Sequence, residues 1–344
     1  VVQGRVAGRR VELSLAEELP RGENSEDTLD IVQRLRQLFP SGSDKRRLSA
    51  TVVFPRQQVT VHRIQLPPVA DTEVPDLLKM QAALKLTVPV DTVAMDFTPL
   101  PRQPSAVTRD VLLVTVPNDQ LALVRRTLGD AGLDLAEARV SGYCVAQLLE
   151  SAGLLRESAD GSRVDVVAVM RSDFLELTFL RGREVLFSHS GASWSAADAI
   201  ERTLRAELSR ARMSAADVLV DQQIGRIVLL GAHEITAAVT DQLSARFDGA
   251  TIERVDPSVL VTAAGDGLVA DMAAAAGALL SRQSSSVQTI DFVNPRRAPE
   301  KRDLRRVKVL GGGACGCGTI CRHLELPSGK DSRSDWAKVA LGCG

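Results

Sequence analysis

The stretch VDVVAVMRSDFLELTFLRGREVLFSHSG, residues 164–191, decides how the rest of the chain is read. Its β-branched and apolar runs predict two or three short strands joined by tight turns. The first turn, Met170-Arg171-Ser172-Asp173, lies where several nucleotide-binding folds keep a bare, glycine-rich phosphate loop. The stretch is therefore a nucleotide site, a decayed nucleotide site or an ordinary sheet, and its surroundings must choose.

A chain of 344 residues has room for one large or two medium domains. Apolar content of 44% and charged content of 25% are those of a soluble globular protein. The 42 basic and 43 acidic residues give a net charge of −1, which offers nucleic acid no long-range attraction. With 3% aromatic residues, stacking platforms for single strands are also lacking. No apolar run approaches the roughly 18 residues of a membrane-spanning helix. The opening VVQGRVAGRRVEL alternates like a strand rather than a signal peptide, and without an initiator Met it suggests a fragment boundary.

Cysteines are unevenly placed: Cys144 stands alone, while Cys315, Cys317, Cys321 and Cys343 crowd the end. Cys315, Cys317, Cys321 and His323 offer metal-ligating side chains, but the spacing lacks the paired C-x2-C knuckles of a zinc site, and no metal site is assigned. From Gly311 onward the chain carries eight glycines and no amphipathic period. Residues 311–344 are expected to be a disordered or frameshifted tail.

Alternation around Gly8 predicts a hairpin over Val2 to Leu15. Leu29, Ile31, Val32, Leu35 and Leu38 recur at helical spacing. LSATVVFP and QVTVHRIQLP follow as strands, then a helix capped at Asp71 or Thr72 with Pro75 in its first turn. Two strands, a helix after Asn118 or Asp119, the strand LDLAEARVS and the helix YCVAQLLESAGLL complete a first half. ESADGSR is the boundary candidate. In the second half the quoted strands precede a helix over Ser195 to Ala211, the buried strand RIVLLG, a helix, the strand ATIERVDPS and an Ala-rich helix suited to close packing. IDFVNPRRAPEKRDLRRVKVL then reads as a linker with seven Arg or Lys from Arg296 to Lys308.

No G-x-x-x-x-G-K-[ST], G-x-S-x-G or H-E-x-x-H motif occurs. His62, His189, His233 and His323 are scattered, and no carboxylate pair is marked as acid and base. No catalytic residue is assigned, so the chain is not expected to be an enzyme.

LPPVADTEVPDLLKMQAALKLTVPVDTVAMDF, VLLVTVPNDQLALVRRTLGDAGLDLAEARVSGYCVAQLL and RIVLLGAHEITAAVTDQL resemble, in order and spacing, successive blocks of PilM-type pilus assembly proteins. The resemblance covers about residues 1–280. It implies an α/β, actin-like two-lobed fold, shared with FtsA and the GspL secretion proteins, with an inserted α+β subdomain in the first lobe. The expected layout is a first lobe over 1–155 with the insertion at about 71–140, a second lobe over 156–283, and a linker over 284–310 whose basic run suits a juxtamembrane position. The resemblance also implies work at the cytoplasmic face of the inner membrane, in type IV pilus or type II secretion machines, with PilN- and PilO-like partners. Membrane association would come through a partner or a lost C-terminal helix, and self-association is left open.

Actin-like folds hold phosphates with two hairpin turns of small residues and an acid for the metal. By resemblance the first turn would precede Val1, making the fold N-terminally truncated. The second falls on Met170, Arg171, Ser172 and Asp173, where Met and Arg side chains would crowd phosphates. The adenosine-side Gly-Gly turn is half kept at Gly231 and Ala232. The expectation is a scaffold with no cofactor, ATP and magnesium binding weakly if at all. Rival readings are an active actin-like ATPase and, more remotely, a sugar or acetate kinase relative. Ile290, Asp291, Phe292, Val293, Asn294 and Pro295 resemble the short peptide by which PilN-like partners dock on PilM; a plain extended linker is the alternative.

Overall fold

The structure is a computed structural model and describes residues 1–19, 25–40, 47–100, 108–157, 162–171, 174–192, 194, 199–219, 222–231, 233–244, 249–263, 272–282, 285, 287–298 and 338–342. The first half begins with β1 (Val2–Ala7) and β2 (Arg10–Ala16), the expected hairpin, followed by α1 (Ser25–Leu38) and β3 (Leu48–Phe54). Next come β4 (Thr60–Leu66), α2 (Val74–Lys85), β5 (Val93–Pro99), β6 (Arg109–Pro117), α3 (Asn118–Asp130), β7 (Leu133–Val140) and α4 (Ser141–Ser151). The second half holds β8 (Arg163–Arg171), β9 (Phe174–Arg181), β10 (Glu184–Gly191), α5 (Ile200–Ser214), β11 (Gln223–Gly231), α6 (His233–Ser244) and β12 (Thr251–Arg254). The chain closes with α7 (Pro257–Leu260), β13 (Val261–Ala263), α8 (Ala273–Ala278) and β14 (Lys338–Gly342).

These strands build a sheet in the order β13-β2-β1-β14-β3-β7, another in the order β10-β9-β8-β11-β12, and a small one in the order β4-β6-β5. The residues of 164–191 are strands β8, β9 and β10, as their composition predicts. Strand β8 is apolar on both faces because both are covered. Val164, Val166, Ala168 and Met170 pack against Leu204 and Leu208 of α5 and Val239 and Leu243 of α6. Val167 and Val169 belong to the large core shared with the first sheet.

Helix α4 is the pivot of that shared core. All residues from Ser141 to Leu149 are buried, which is what a helix apolar on every side requires. It packs against β3 and β7 of one sheet, β9 and β10 of the other, and α8. The contact with α8 is so close that a Cβ on Gly277 would stand 2.0 Å from the Cys144 carbonyl oxygen. The small residues of the Ala-rich segment thus permit the backbone approach expected of them.

Three boundaries differ from expectation. The inserted unit runs from β4 to β6 rather than over 71–140, because β4 pairs with β6 along its whole length while β7 pairs with β3 in the main sheet. The second lobe ends near β12 rather than at 283: β13 pairs with β2, and α8 lies on α4, so the chain has already returned to the first lobe. Finally, Lys338–Gly342, within the stretch expected to be a disordered or frameshifted tail, is a strand. It pairs antiparallel with β1 and parallel with β3. With Val2 opposite Ala340, its carboxyl end lies beside the chain's amino end. Cys315, Cys317, Cys321 and His323 lie outside the described residues, as does the basic run beyond Arg297.

Candidate functional site

The carboxyl ends of parallel strands are where open α/β sheets bind ligands. In the second sheet these are the ends of β8 and β11, where Met170 and Gly231 stand in register as neighbours. The structure brings these two expected site residues together; Ser172, Asp173 and Ala232 lie outside the described residues. A Cβ on Gly231 would approach the Met170 carbonyl oxygen to 2.5 Å, so strand packing alone demands glycine there. The side chain of Met170 does not crowd the cleft as expected. Alternation along β8 turns it into the second-lobe core, where it is fully buried.

Arg171, one residue further, turns the other way and meets the first lobe. Its Nη2 donates to Glu18 Oε1 at 2.6 Å. The same charge reaches the Val1 ammonium, which burial pushes down most, Arg171 adding to the fall while Glu17 and Glu18 oppose it. The carboxyl end of β8 and the segment that follows β2 therefore face each other, bridged by an ion pair.

Deeper in, the lobes are joined by a buried carboxylate. Glu176 on β9 accepts from the Ser141 hydroxyl at 2.7 and 2.6 Å and from the Arg56 backbone N–H at 3.2 Å. Burial pushes its carboxyl above the ordinary carboxylate value, Ser141 and Arg56 opposing this. The Arg56 guanidinium donates in turn to the carbonyls of Ser188 and Val59, at 2.8 and 2.7 Å. Tyr143, pushed up to about 12 chiefly by burial, bonds Thr98 of β5 at 3.1 Å and so ties α4 to the inserted unit. Cys144 beside it, pushed up to about 11 by burial, is an inert core thiol.

A cavity of about 200 Å³ opens at the other end of the second sheet, lined by Arg156, Arg163, Asp165, Gly225, Arg226 and Thr251. These residues mark the amino ends of the parallel strands, away from the ligand-binding edge. The charge of Arg226 is spent on Asp165 at 2.5 Å and Glu253 at 3.2 Å.

The segment read as partner peptide or plain linker is a docked strap. Ile290 and Phe292 are buried, and Phe292 meets the Phe54 ring edge-on with centroids 6.0 Å apart. The strap lies along β7, an edge strand. Phe292 N–H donates to the Ala138 carbonyl at 2.8 Å, Ala138 N–H to Asp291 Oδ1 at 3.0 Å, and Asn294 Nδ2 to the Ala136 carbonyl at 3.0 Å. On the other side, Asp96 of β5 accepts from the backbone N–H of Asp291 at 2.9 Å and of Arg296 at 3.0 Å. The Arg296 guanidinium reaches Asp96 at 3.1 Å, the Phe97 and Thr289 carbonyls at 2.6 and 2.8 Å, and the Phe97 ring face at 5.8 Å. Asp96 is almost wholly buried, and burial raises its carboxyl despite Arg296. Sequence reasoning missed Asp96, Ser141 and Glu176; a lone acid in each of the strands VAMDFTP and FLELTFLR was the only signal they gave.

No helix among the described residues is long and apolar enough to cross a membrane. No family model matches this chain. No curated protein matches it either. Solved structures do match. The chain is similar to a PilM–PilN type IV pilus biogenesis complex at 21% identity and a TM-score of 0.58, over 80% of this chain and 94% of that one. It is also similar to the cytoplasmic domain of EpsL, an inner-membrane component of the type II secretion system of Vibrio cholerae, at 13% identity and a TM-score of 0.43, over 81% and 90%. A Bacteroides thetaiotaomicron protein with an actin-like ATPase fold matches at 10% identity and a TM-score of 0.39, over 79% and 93%. The fold is the actin-like, two-lobed one expected from the sequence, with an inserted unit in the first lobe.

Proposed function

We propose that this chain is a scaffold of a type IV pilus or type II secretion assembly platform, working by protein contact with little or no nucleotide turnover. The observation that carries the reading is Arg171. A phosphate turn needs small residues whose backbone N–H groups reach the oxygens. Here the turn begins with a guanidinium engaged by Glu18 of the facing lobe, and that carboxylate would repel a phosphate. ATP and magnesium do not fit beside this ion pair.

Likeness in fold to a PilM–PilN type IV pilus biogenesis complex supports the assembly role. The partner in this reading is the cytoplasmic tail of a PilN-like protein of the inner membrane, with a PilO-like protein behind it. The chain then sits at the cytoplasmic face of that membrane, held there by its partner.

Calorimetric titration of the full chain with MgATP tests the first half of the proposal. No saturable heat is expected at concentrations up to about 1 mM, a Kd corresponding to roughly 4 kcal/mol of binding. Micromolar, magnesium-dependent binding would establish the active ATPase instead. Co-purification with tagged PilN- and PilO-like proteins from inner membranes tests the second half; loss of both from the eluate rejects the partner assignment.

A further inference from the structure

The inserted unit has a small core of its own, in which Ile64, Leu66, Leu78, Phe97 and Leu113 are buried together. Buried contacts bind it to the first lobe: Val114 and Val116 of β6 enter the shared core, and Tyr143 and the strap hold Thr98 and Asp96 of β5. Against the second lobe it rests more lightly. Leu100, just past β5, lies partly buried on the second-lobe core, and Arg63 of β4 reaches Asp217 in the turn after α5.

Arg63 is shared between two carboxylates. Its Nη2 donates to Asp110 Oδ2 of β6, inside the inserted unit, at 2.5 Å. Its Nη1 donates to the Asp217 carbonyl and stands 3.2 Å from Asp217 Oδ2. The sharing leaves a mismatch. Arg63 Nε and Asp110 Oδ1 are both buried, and neither has a hydrogen-bond partner among the described residues. Buried polar atoms are seldom left so. A guanidinium and a carboxylate satisfy each other best as a two-pronged fork. With Nη1 drawn to Asp217, only one prong is made.

We propose that Arg63 is a two-position latch between the inserted unit and the second lobe. Engaged, it spans Asp110 and Asp217. Released, it closes on Asp110 as a fork through Nε and Nη2, and the second lobe parts from the inserted unit at Leu100. The two settings are nearly balanced. Release gives up a pair whose Asp217 side chain is 62% exposed, and such a pair biases an equilibrium by no more than about fivefold. In return it satisfies two buried orphan atoms. The latch does not depend on the scaffold reading. It gives the molecule two settings, and a ligand that binds them unequally shifts the population between them.

The test is single-molecule energy transfer in the full chain, with dyes on azidophenylalanine placed at the exposed positions of Thr87 in the inserted unit and Met213 in the second lobe. Asp217→Arg sets a like charge against Arg63 and should raise the share of low-transfer molecules about threefold or more. Asp217→Glu should match the native chain. Raising salt from about 0.05 M to about 0.5 M should move the native chain in the same direction as Asp217→Arg. Asp110→Asn separates a latch from a plain ion pair. Without the fork the released setting loses more than the engaged one, so this variant should resist opening by salt. If Asp110 merely braced Arg63, the same change would increase opening. Greater opening in Asp110→Asn overturns the proposal, as does a transfer distribution unmoved by both salt and Asp217→Arg. Should Asp110→Asn lose the native circular dichroism, the salt and Asp217 measurements decide.

Discussion

The two large sheets share one plan. Strands β10-β9-β8-β11-β12 repeat the order and directions of β2-β1-β14-β3-β7: two antiparallel neighbours on one side of the central strand and two parallel ones on the other. They differ in how the central strand arrives. In the second lobe β8 leads into β9 through a tight turn, with Arg171 opposite Phe174. In the first, the central strand comes from residues 338–342 and its antiparallel neighbour opens the chain. A slot in a sheet is thus defined by the unpaired N–H and C=O groups on its two sides, and not by the connection that delivers the strand. What differs is the cost of losing it, because an empty central slot exposes two edges at once.

Deleting residues 334–344 is the sharpest way to break this comparison. It should cost about 5 kcal/mol or more, a whole domain's stability, read as loss of the cooperative thermal transition. Moving those residues ahead of Val1, so that β14 precedes β1 as β8 precedes β9, should restore it. A truncated chain that melts like the full one removes the equivalence of the central strands.

Close approach within each lobe comes next. Gly277→Ala meets the Cys144 carbonyl and Gly231→Ala meets the Met170 carbonyl, backbone oxygens that cannot turn aside. Each should cost about 2–3 kcal/mol in urea unfolding. A neutral Gly231→Ala would mean that β8 and β11 separate more freely than α4 and α8.

At the junction of the lobes, Glu176→Ala should lose about 2 kcal/mol by leaving the Ser141 hydroxyl and Arg56 N–H without their acceptor. The pH dependence has a definite sign. The native carboxyl is raised above the ordinary 4.5, so the native state keeps a proton that the unfolded chain has released. Stability attributable to this group therefore falls as pH rises from the ordinary carboxylate range through the raised native value. Glu176→Gln should flatten that part of the stability–pH curve in denaturant titrations at stepped pH. An unchanged slope would show that the junction carboxylate is ionised in both states. The smallest effect belongs to the bridge between the facing segments: Arg171→Ala should change stability by less than about 1 kcal/mol, because Glu18 is largely solvated.

Strands β8, β9 and β11 were legible in the sequence because both faces are largely buried, which leaves near-continuous apolar runs between turns. The position of the candidate phosphate turn was legible for the same reason, since it follows from the end of β8. The direction of Met170 was not. It depends on which face of the sheet meets α5 and α6, and a strand apolar on both faces carries no alternation to reveal it. The insertion was misplaced because neither β4 nor β7 carries a local mark of the sheet it joins, and only pairing assigns one to β6 and the other to β3. Strand β13 is three residues long, too short for any period to register.

By itself the sequence determined most of the elements and their order, which follow from local periodicity and residue type; the actin-like plan was an implication of the family resemblance. Only the tertiary structure decided that Lys338–Gly342 stands beside Val2, that Glu176 joins the lobes, that Arg171 is engaged by Glu18, and that the strap closes on Asp96. Apart from the Ser141–Glu176 bond, 35 positions apart, each of these pairs residues 120 or more positions apart. Such contacts are fixed by the shared burial of surfaces that no local stretch of chain encodes.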